Sequence, residues 1–316
     1  MDILSLFQKM LILFGVMLTG YIAAKAGVMD RQMNKKLSLL ICMMTNPAQV
    51  LSSVLSGDRP MENGQVLILT AVAVCMYAAL IALAFLLPKL LHVKNKREAG
   101  VYRYMLIFSN ISYMGFPVIE ALYGAGHTFY LTVFVLVFQL ICWSYGVTLM
   151  SGERVRLTWR VLLRPMILAP LAAYALYFID IRPLWSLAPE PMGWLYGVVH
   201  TVGDLTPALS MLIIGCSLAQ MDLREVFNKW RIYVLAAIKL LLLPFLGWLI
   251  LRGLLTDEVL LTVAVMILAM PVATSATISS YQYGGDEKAA SAGVFITTVL
   301  SIVTVPLILY LLFIRA

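Results

Sequence analysis

Asn110 and Pro117 stand inside one long apolar run, 101–123, and Pro271, Thr274 and Ser275 inside another, 258–282. An amide, two hydroxyls and two prolines set in hydrocarbon can do one kind of chemistry. They free backbone groups from a helix and use them, with the side chains, to hold a polar ligand. A proline deep in a helix removes an N–H and clashes with the preceding turn. Lipid cannot repair that damage, so broken backbone survives only where it packs against protein or lines a cavity. Two apolar segments broken at corresponding places in the two halves of a chain are the strongest sequence pointer to a carrier's binding site.

The first run reads Ser109-Asn110-Ile111-Ser112-Tyr113-Met114-Gly115-Phe116-Pro117. Gly115 permits close approach of another backbone. Pro117 can open a new half-helix, where its missing N–H does no harm. That half-helix points free amides and its positive dipole end toward the membrane centre. The second run, Ala269-Met270-Pro271-Val272-Ala273-Thr274-Ser275-Ala276-Thr277, repeats the arrangement from the opposite side. Two positive half-helix ends facing one point make an anion site without a buried arginine. The expected substrate-binding set is Asn110, Ser112, Gly115, Pro117, Pro271, Thr274 and Ser275. The hydroxyls, with Thr277, either donate to the ligand or merely mend the broken helices.

Ionisable residues inside apolar segments are candidates for proton or ion coupling. Glu120 follows Pro117 by three residues and is either a charge partner of the helix N-terminus or a proton acceptor. Asp204 and His200 have the i, i+4 spacing that puts both on one helix face. They form a proton relay or sit at the outer interface. Lys239 lies eight residues past Arg231, about 12 Å along a helix at ~1.5 Å per residue. It either snorkels to the cytoplasmic surface or is an internal cation, pairing with an acid or facing the substrate.

Several function classes fall away. There is no nucleophile elbow, phosphate-binding loop or HExxH motif, so no enzyme is expected, and no cofactor. His92 and His127 fall in or beside loops. Cys42, Cys75, Cys142 and Cys216 all lie in apolar segments without ligand-like spacing, which reads as small buried hydrophobes and gives no metal site. Asn46-Pro47-Ala48 is the tripeptide of water channels. Here it sits within a full-length apolar segment and its second copy reads Thr206-Pro207-Ala208, so it reads as a proline kink.

The elements that must position these residues are membrane helices. Hydrophobic residues make up 62% of 316 positions and charged residues 12%, against about 45–50% and 25% in soluble domains. Ten apolar segments have the roughly 20 residues that a span requires: 4–24, 37–57, 64–91, 101–123, 128–150, 160–180, 195–220, 232–252, 258–282 and 289–313. The first is kept as a span, because Asp2 precedes it and Lys25 follows it where a signal peptide has a basic start and small residues. Of 23 basic residues, 17 fall on alternate loops, including Lys94, Arg156 and Arg231. That is the positive-inside pattern. It accounts for the net charge of +7 with no nucleic-acid partner, and puts both termini outside the cytoplasm.

Five segments per half is an odd number, so a duplicated half enters the membrane upside down. Asn46-Pro47-Ala48 and Thr206-Pro207-Ala208 occupy the second segment of each half. Tyr123-Gly124 and Tyr283-Gly284 follow the two broken segments. The expected fold is all-α and polytopic: ten transmembrane helices in two inverted five-helix repeats, residues 1–150 and 160–316, joined by a short basic cytoplasmic loop at 151–159.

Asn110-(three residues)-Met114-Gly115-Phe116-Pro117 followed by Tyr123-Gly124 resembles the fourth-helix motif of the auxin efflux carrier family, which includes plant PIN-FORMED exporters and bacterial permeases for small carboxylates. Leu205-Thr206-Pro207-Ala208, Ile214-Gly215-Cys216-Ser217-Leu218 and the stretch from Pro271 to Tyr283-Gly284 are similar too. The resemblance implies that the fourth and ninth helices cross in a mobile core with helices 3, 5, 8 and 10. Helices 1, 2, 6 and 7 then form a scaffold that makes a homodimer. Asn110 matches the family's asparagine before the crossing. Thr274-Ser275 stand where many members have a second asparagine, which argues against a symmetric two-asparagine clamp and against auxin itself.

The expected function is therefore a secondary transporter for a small carboxylate, working by elevator-type alternating access in the cytoplasmic (inner) membrane of a bacterium. Lipid is its surrounding partner, and coupling to a proton, to sodium or to neither stays open. The alternative is a sodium-coupled symporter of the bile acid type, which shares the crossed-helix plan but needs a cluster of oxygen ligands. A sensor or scaffold without transport has no need of two broken helices.

Overall fold

The structure, a computed structural model, describes residues 3–56, 61–124, 127–152, 163, 165–220 and 229–314. The described residues form helices and their connections, with one isolated β-bridge. In chain order the helices are α1 (Ile3–Lys25), α2 (Arg31–Leu55), α3 (Asn63–Leu90), α4 (Lys96–Ile107), α5 (Phe116–Tyr123) and α6 (Thr128–Ser151). Then follow α7 (Pro165–Ile179), α8 (Arg182–Leu187), α9 (Pro189–Ala219), α10 (Trp230–Leu251), α11 (Glu258–Ala269), α12 (Ser275–Tyr283) and α13 (Glu287–Phe313). Six of them, α2, α3, α6, α9, α10 and α13, are long and apolar enough to cross a membrane. Part of α1 (Leu11–Lys25), α7 and α11 are shorter apolar helices. Large apolar side chains such as Ile12, Leu67, Trp194, Ile250 and Val303 are exposed, as a multi-pass membrane protein requires. Most of the expected linker 151–159 lies outside the described residues, with Arg154, Arg156, Arg160, Arg164 and Arg224.

Local chemistry fixes where these helices start and stop. Asp30, Asn95, Asp257 and Asp286 are N-caps whose side chains accept first-turn amides of α2, α4, α11 and α13. Each such cap is worth about 1 kcal/mol. Gly124 and Gly284 end α5 and α12 at φ 85° and 80°, a backbone region nearly closed to other residues. The repeated Tyr-Gly pairs are thus matched helix stops.

Prolines shape the helices differently from expectation. Pro47, Pro117 and Pro244 each sit two residues past a five-residue π turn: Ile41–Thr45, Ile111–Gly115 and Ile238–Leu242. Widening the helix by one residue re-routes the hydrogen bonds that a proline cannot make. Pro117 therefore does not open the half-helix. The helical path starts at Ile111, and Pro117 lies more than one turn inside it.

Close backbone approach joins several helices. A Cβ at Gly20 would strike the backbone of Leu212, and one at Gly215 the backbone of Met17 and Tyr21. Small residues let α1 and the second half of α9 touch main chain to main chain, the packing that serves where no hydrophobic effect acts between helices. Gly203 likewise meets the backbone of Ala48 and Gln49 in α2. On the other side, Arg231 at the start of α10 binds Glu98 at 3.0 Å and the carbonyl of His92 at 3.1 Å. This ties α10 to the start of α4.

Candidate functional site at the paired helix breaks

α4 ends at Ile107, and Phe108 continues in an extended conformation. α11 ends at Ala269, and Met270 is extended in the same way. The two interrupted strands of backbone meet. Ser109 and Val272 form an antiparallel bridge. Asn110 N donates to Pro271 O at 2.8 Å, and Ala273 N donates to Phe108 O at 3.0 Å. The next orphan, the buried amide of Val272, donates to Thr297 Oγ1 at 3.0 Å, and Thr297 in turn donates to Gly293 O at 2.7 Å. An unpaired backbone group in hydrocarbon would cost several kcal/mol. Each break thus mends much of the other, and α13 supplies the remaining patch.

The carbonyl end of α4 is answered by a lysine. Lys239 is 1% exposed, and its Nζ donates to Leu106 O at 2.9 Å and to Ser109 Oγ at 3.1 Å. The ion pair of Arg231 with Glu98 sets this register. From Arg231 to Lys239 and from Glu98 to Leu106 both helices advance eight residues, about 12 Å, so the lysine arrives level with the last turn of α4. Lys239 therefore does not snorkel to the surface.

Tyr104 organises the other half-helix. Its hydroxyl donates to Ser275 Oγ at 2.9 Å and lies 3.0 Å from Cys142 Sγ. Gly146 leaves room for the rings of Tyr104 and Phe108, since a Cβ there would come within 2.9 Å of the first and 3.1 Å of the second. Ser275 is thus engaged with the protein itself. Thr274 is half-buried at the start of α12.

Asn110 differs from these. It is 3% exposed, it stands immediately before the helical path into α5, and its side-chain Nδ2 has no partner. Thr45 Oγ1, Asn46 Nδ2 and Gln49 Oε1 of α2 and Thr206 Oγ1 of α9 are buried and unpartnered as well. The elements carrying them adjoin. Tyr113, in the π turn before α5, hydrogen-bonds Cys42 in the π turn of α2, and the second half of α9 touches both π turns. Buried polar atoms in native proteins are nearly always satisfied. Thr45, Asn46, Gln49, Thr206 and Asn110 carry five of the thirteen such atoms among the described residues, on α2, α9 and the start of the α5 path.

The remaining expected residues are placed as follows. Ser112 is half-buried in the π turn, next to Tyr113. Gly115 faces the side chain of Leu131, whose nearest atom would lie 3.4 Å from a Cβ, so no second backbone approaches it. Pro271 lies within the break itself and offers its carbonyl to Asn110. Glu120 is exposed on α5, away from the break. His200 and Asp204 do share a face, with Nδ1 2.9 Å from Oδ2, but the aspartate side chain is 62% exposed, so the pair belongs to the surface of this chain. Thr297 and Tyr104 have no sequence signal. A threonine in an apolar helix usually bonds its own preceding turn, as Thr297 also does, and only the fold reveals its second bond.

A family model described as "Membrane transport protein" matches residues 5–159 of this chain and, a second time, residues 155–309. The chain is also similar to a protein of Rhizobium meliloti (strain 1021) named "Putative malonate transporter", with 30% identity over 154 residues, 48% of this chain. That match covers 45% of the Rhizobium protein, so the chain spans less than half the length of the curated relative it matches.

Proposed function

This chain belongs to the auxin efflux carrier-like membrane transport protein family, and on that premise we propose that it is a permease for a small organic anion of the carboxylate class. The observation that carries this reading is the unpartnered, buried Nδ2 of Asn110 at the break. An amide donor at the positive end of a half-helix is suited to a carboxylate oxygen. The Rhizobium relative, named for malonate, favours the same class. The site offers hydrogen-bond donors and positive potential, which suit the binding and release of an anion.

The mechanism we propose is elevator-type alternating access. The paired breaks are bonded to each other, to α13 through Thr297 and to α10 through Lys239, which favours their moving as one body. The glycine-lined contact of α1 with α9, and of α9 with α2, suits a separate scaffold. Five of the thirteen unpartnered buried polar atoms among the described residues, those of Thr45, Asn46, Gln49, Asn110 and Thr206, lie on α2, α9 and the α5 path, which is where a ligand carried by the moving body would face the scaffold. In this reading the chain has ten spans in two inverted repeats, 1–150 and 160–316, about a 151–159 linker. The twofold family match and the paired Gly124 and Gly284 stops support it. We further propose a homodimer in the bacterial inner membrane with both termini outside the cytoplasm.

The test is uptake of labelled malonate and other short dicarboxylates into proteoliposomes, with malonamide as the neutral control. Carriage of the acid and rejection of the amide is expected. Equal carriage of both, or of neither across the panel, would overturn the anion reading.

A further inference from the structure

We propose that the tyrosines of α7 latch this protein shut on its outer side, with Tyr174 on Thr70, Tyr177 on Phe129 and, beside them, Ser53 of α2 on Thr132, so that release of this seam opens the site outward. The inference rests on reading the chain as a carrier with a moving body and a scaffold, in the topology proposed above. Contacts assign the remaining helices to the two parts. Tyr104 Oη lies 3.0 Å from Cys142 Sγ, which ties α6 to α4 and so to the breaks. Tyr77 meets Phe138 edge-on at 6.5 Å between ring centroids, which adds α3 to the same body. α7 packs against α2 of the scaffold. The hydroxyl of Tyr177 donates to Met61 O at 2.6 Å and accepts from Met61 N at 3.0 Å, so its ring is held from two directions.

Phe129 of α6 stacks on that ring at 3.9 Å and 6°. Thr70 of α3 and Tyr174 of α7 join hydroxyls at 2.9 Å, as do Ser53 of α2 and Thr132 of α6. These contacts lie where α2 and α7 end and where α3 and α6 begin, which is the outer side. Ser53 already donates to Val50 O and Thr70 to Val66 O, each at 2.7 Å. The protons that cross the seam therefore come from Thr132 and Tyr174. Both donors have somewhere else to go. A helical threonine falls back on its own preceding turn, and Tyr174 meets water once the outer mouth opens. A seam of neutral hydroxyls and stacked rings thus closes firmly and releases without stranding a charge. The cytoplasmic end is built differently. There Arg31 of α2 stands 3.5 Å from Glu287 and 5.3 Å from the ring centroid of Tyr281. Both charged side chains are exposed, and such a pair holds little. Buried contacts bind the outer end of the seam and exposed ones its inner end, the arrangement of a carrier closed to the outside.

The experiment reads opening of the seam directly. Ala173 is fully buried, one turn before Tyr177 on the same face of α7. Ala173→Cys is small enough to keep the packing and serves as the probe. Its reaction with a membrane-impermeant maleimide added outside is timed in right-side-out vesicles, against vesicles of the parent protein. Tyr174→Phe and Thr132→Val each remove one donor at nearly constant shape. Labelling should quicken about fivefold with either, as the loss of one net hydrogen bond implies, and further with both. An unchanged rate in the double variant would overturn the latch. In a second arm, Ser53→Cys with Thr132→Cys is joined by oxidation or by a short bis-methanethiosulfonate. Closure of that link should stop both labelling and malonate uptake, and a reductant should restore them. Full uptake by the linked protein would also overturn the proposal. Should the double cysteine variant fail to fold, the labelling rates of Tyr174→Phe and Thr132→Val decide. Labelling needs no substrate. Faster labelling in those variants with no uptake of any acid would uphold the latch and sink the transport reading alone, whereas malonate uptake with unchanged labelling would sink the latch alone.

Discussion

The backbone amide of Asn110 donates to the carbonyl of Pro271 at 2.8 Å, so the residue with the free side-chain donor is held in place by the other broken segment. The main chain of Asn110 is engaged at the break, and its side-chain Nδ2 has no partner. This separation makes the first prediction sharp.

Asn110→Ala keeps the backbone bond to Pro271 and removes the side-chain carboxamide, Oδ1 together with Nδ2. The variant should fold with nearly unchanged melting. A hydrogen bond to a charged group is worth about 1.5–3 kcal/mol, so its affinity for malonate should fall roughly ten- to a hundredfold. Titration calorimetry showing wild-type affinity would assign Asn110 to the break alone.

The two prolines should behave differently. Pro271→Ala restores an N–H within the break and lets α11 run on through residues 270–273, pulling apart the bridge to Ser109. Uptake should fall at least tenfold. Pro117→Ala lies inside the α5 path, where the π turn already accommodates the proline, and should retain most of the activity. Equal losses in a side-by-side uptake assay would contradict this assignment of the break to Phe108–Asn110.

Thr297→Val leaves the buried amide of Val272 without an acceptor, at a cost of about 1–3 kcal/mol. Thr297→Ser keeps the hydroxyl and should stay near wild type. Denaturant unfolding in detergent separates the two, and a fully stable valine variant would show that another group takes the amide.

Gly215→Leu drives a side chain into the backbone of Met17 and Tyr21. Overpacking of this kind costs about 1–3 kcal/mol and should force α1 away from α9. Lower melting with Asn110-dependent binding retained is expected if this contact belongs to a scaffold apart from the site. Loss of binding at unchanged stability would speak against that division.

Lys94 and Glu190 are both exposed and flank the expected spans on opposite sides. A cysteine in place of Lys94 should react with a membrane-impermeant maleimide only from the cytoplasm, and one in place of Glu190 only from outside. Labelling of both from one side would refute the inverted arrangement of the halves.

Much of the architecture was legible in the sequence. The apolar segments appear as helices, with the fourth and ninth interrupted. Asp and Asn caps start helices, and Tyr123-Gly124 and Tyr283-Gly284 stop them. These features are local. A run of apolar residues, a cap or a glycine at positive φ acts through its own neighbours, so the chain encodes it over a few residues. Asn110 stands out in the sequence as an amide in hydrocarbon, and the structure finds it buried with Nδ2 unpartnered.

What needed the tertiary structure was where the backbone breaks and what repairs it. Pro117 signals a missing N–H, but a π turn absorbs that defect within one helix, and nothing local says so. The break falls instead at Phe108–Asn110, because there the freed groups find Pro271 and Ala273 in the other half of the chain. Lys239 was legible as an intramembrane charge about 12 Å beyond Arg231. Its direction around α10 is set by the π turn before Pro244 and by the Arg231 contact with Glu98, and these turn it inward onto Leu106. Sequence periodicity reports depth along a helix. Which orphaned carbonyl a buried lysine meets is decided only when two helices pack.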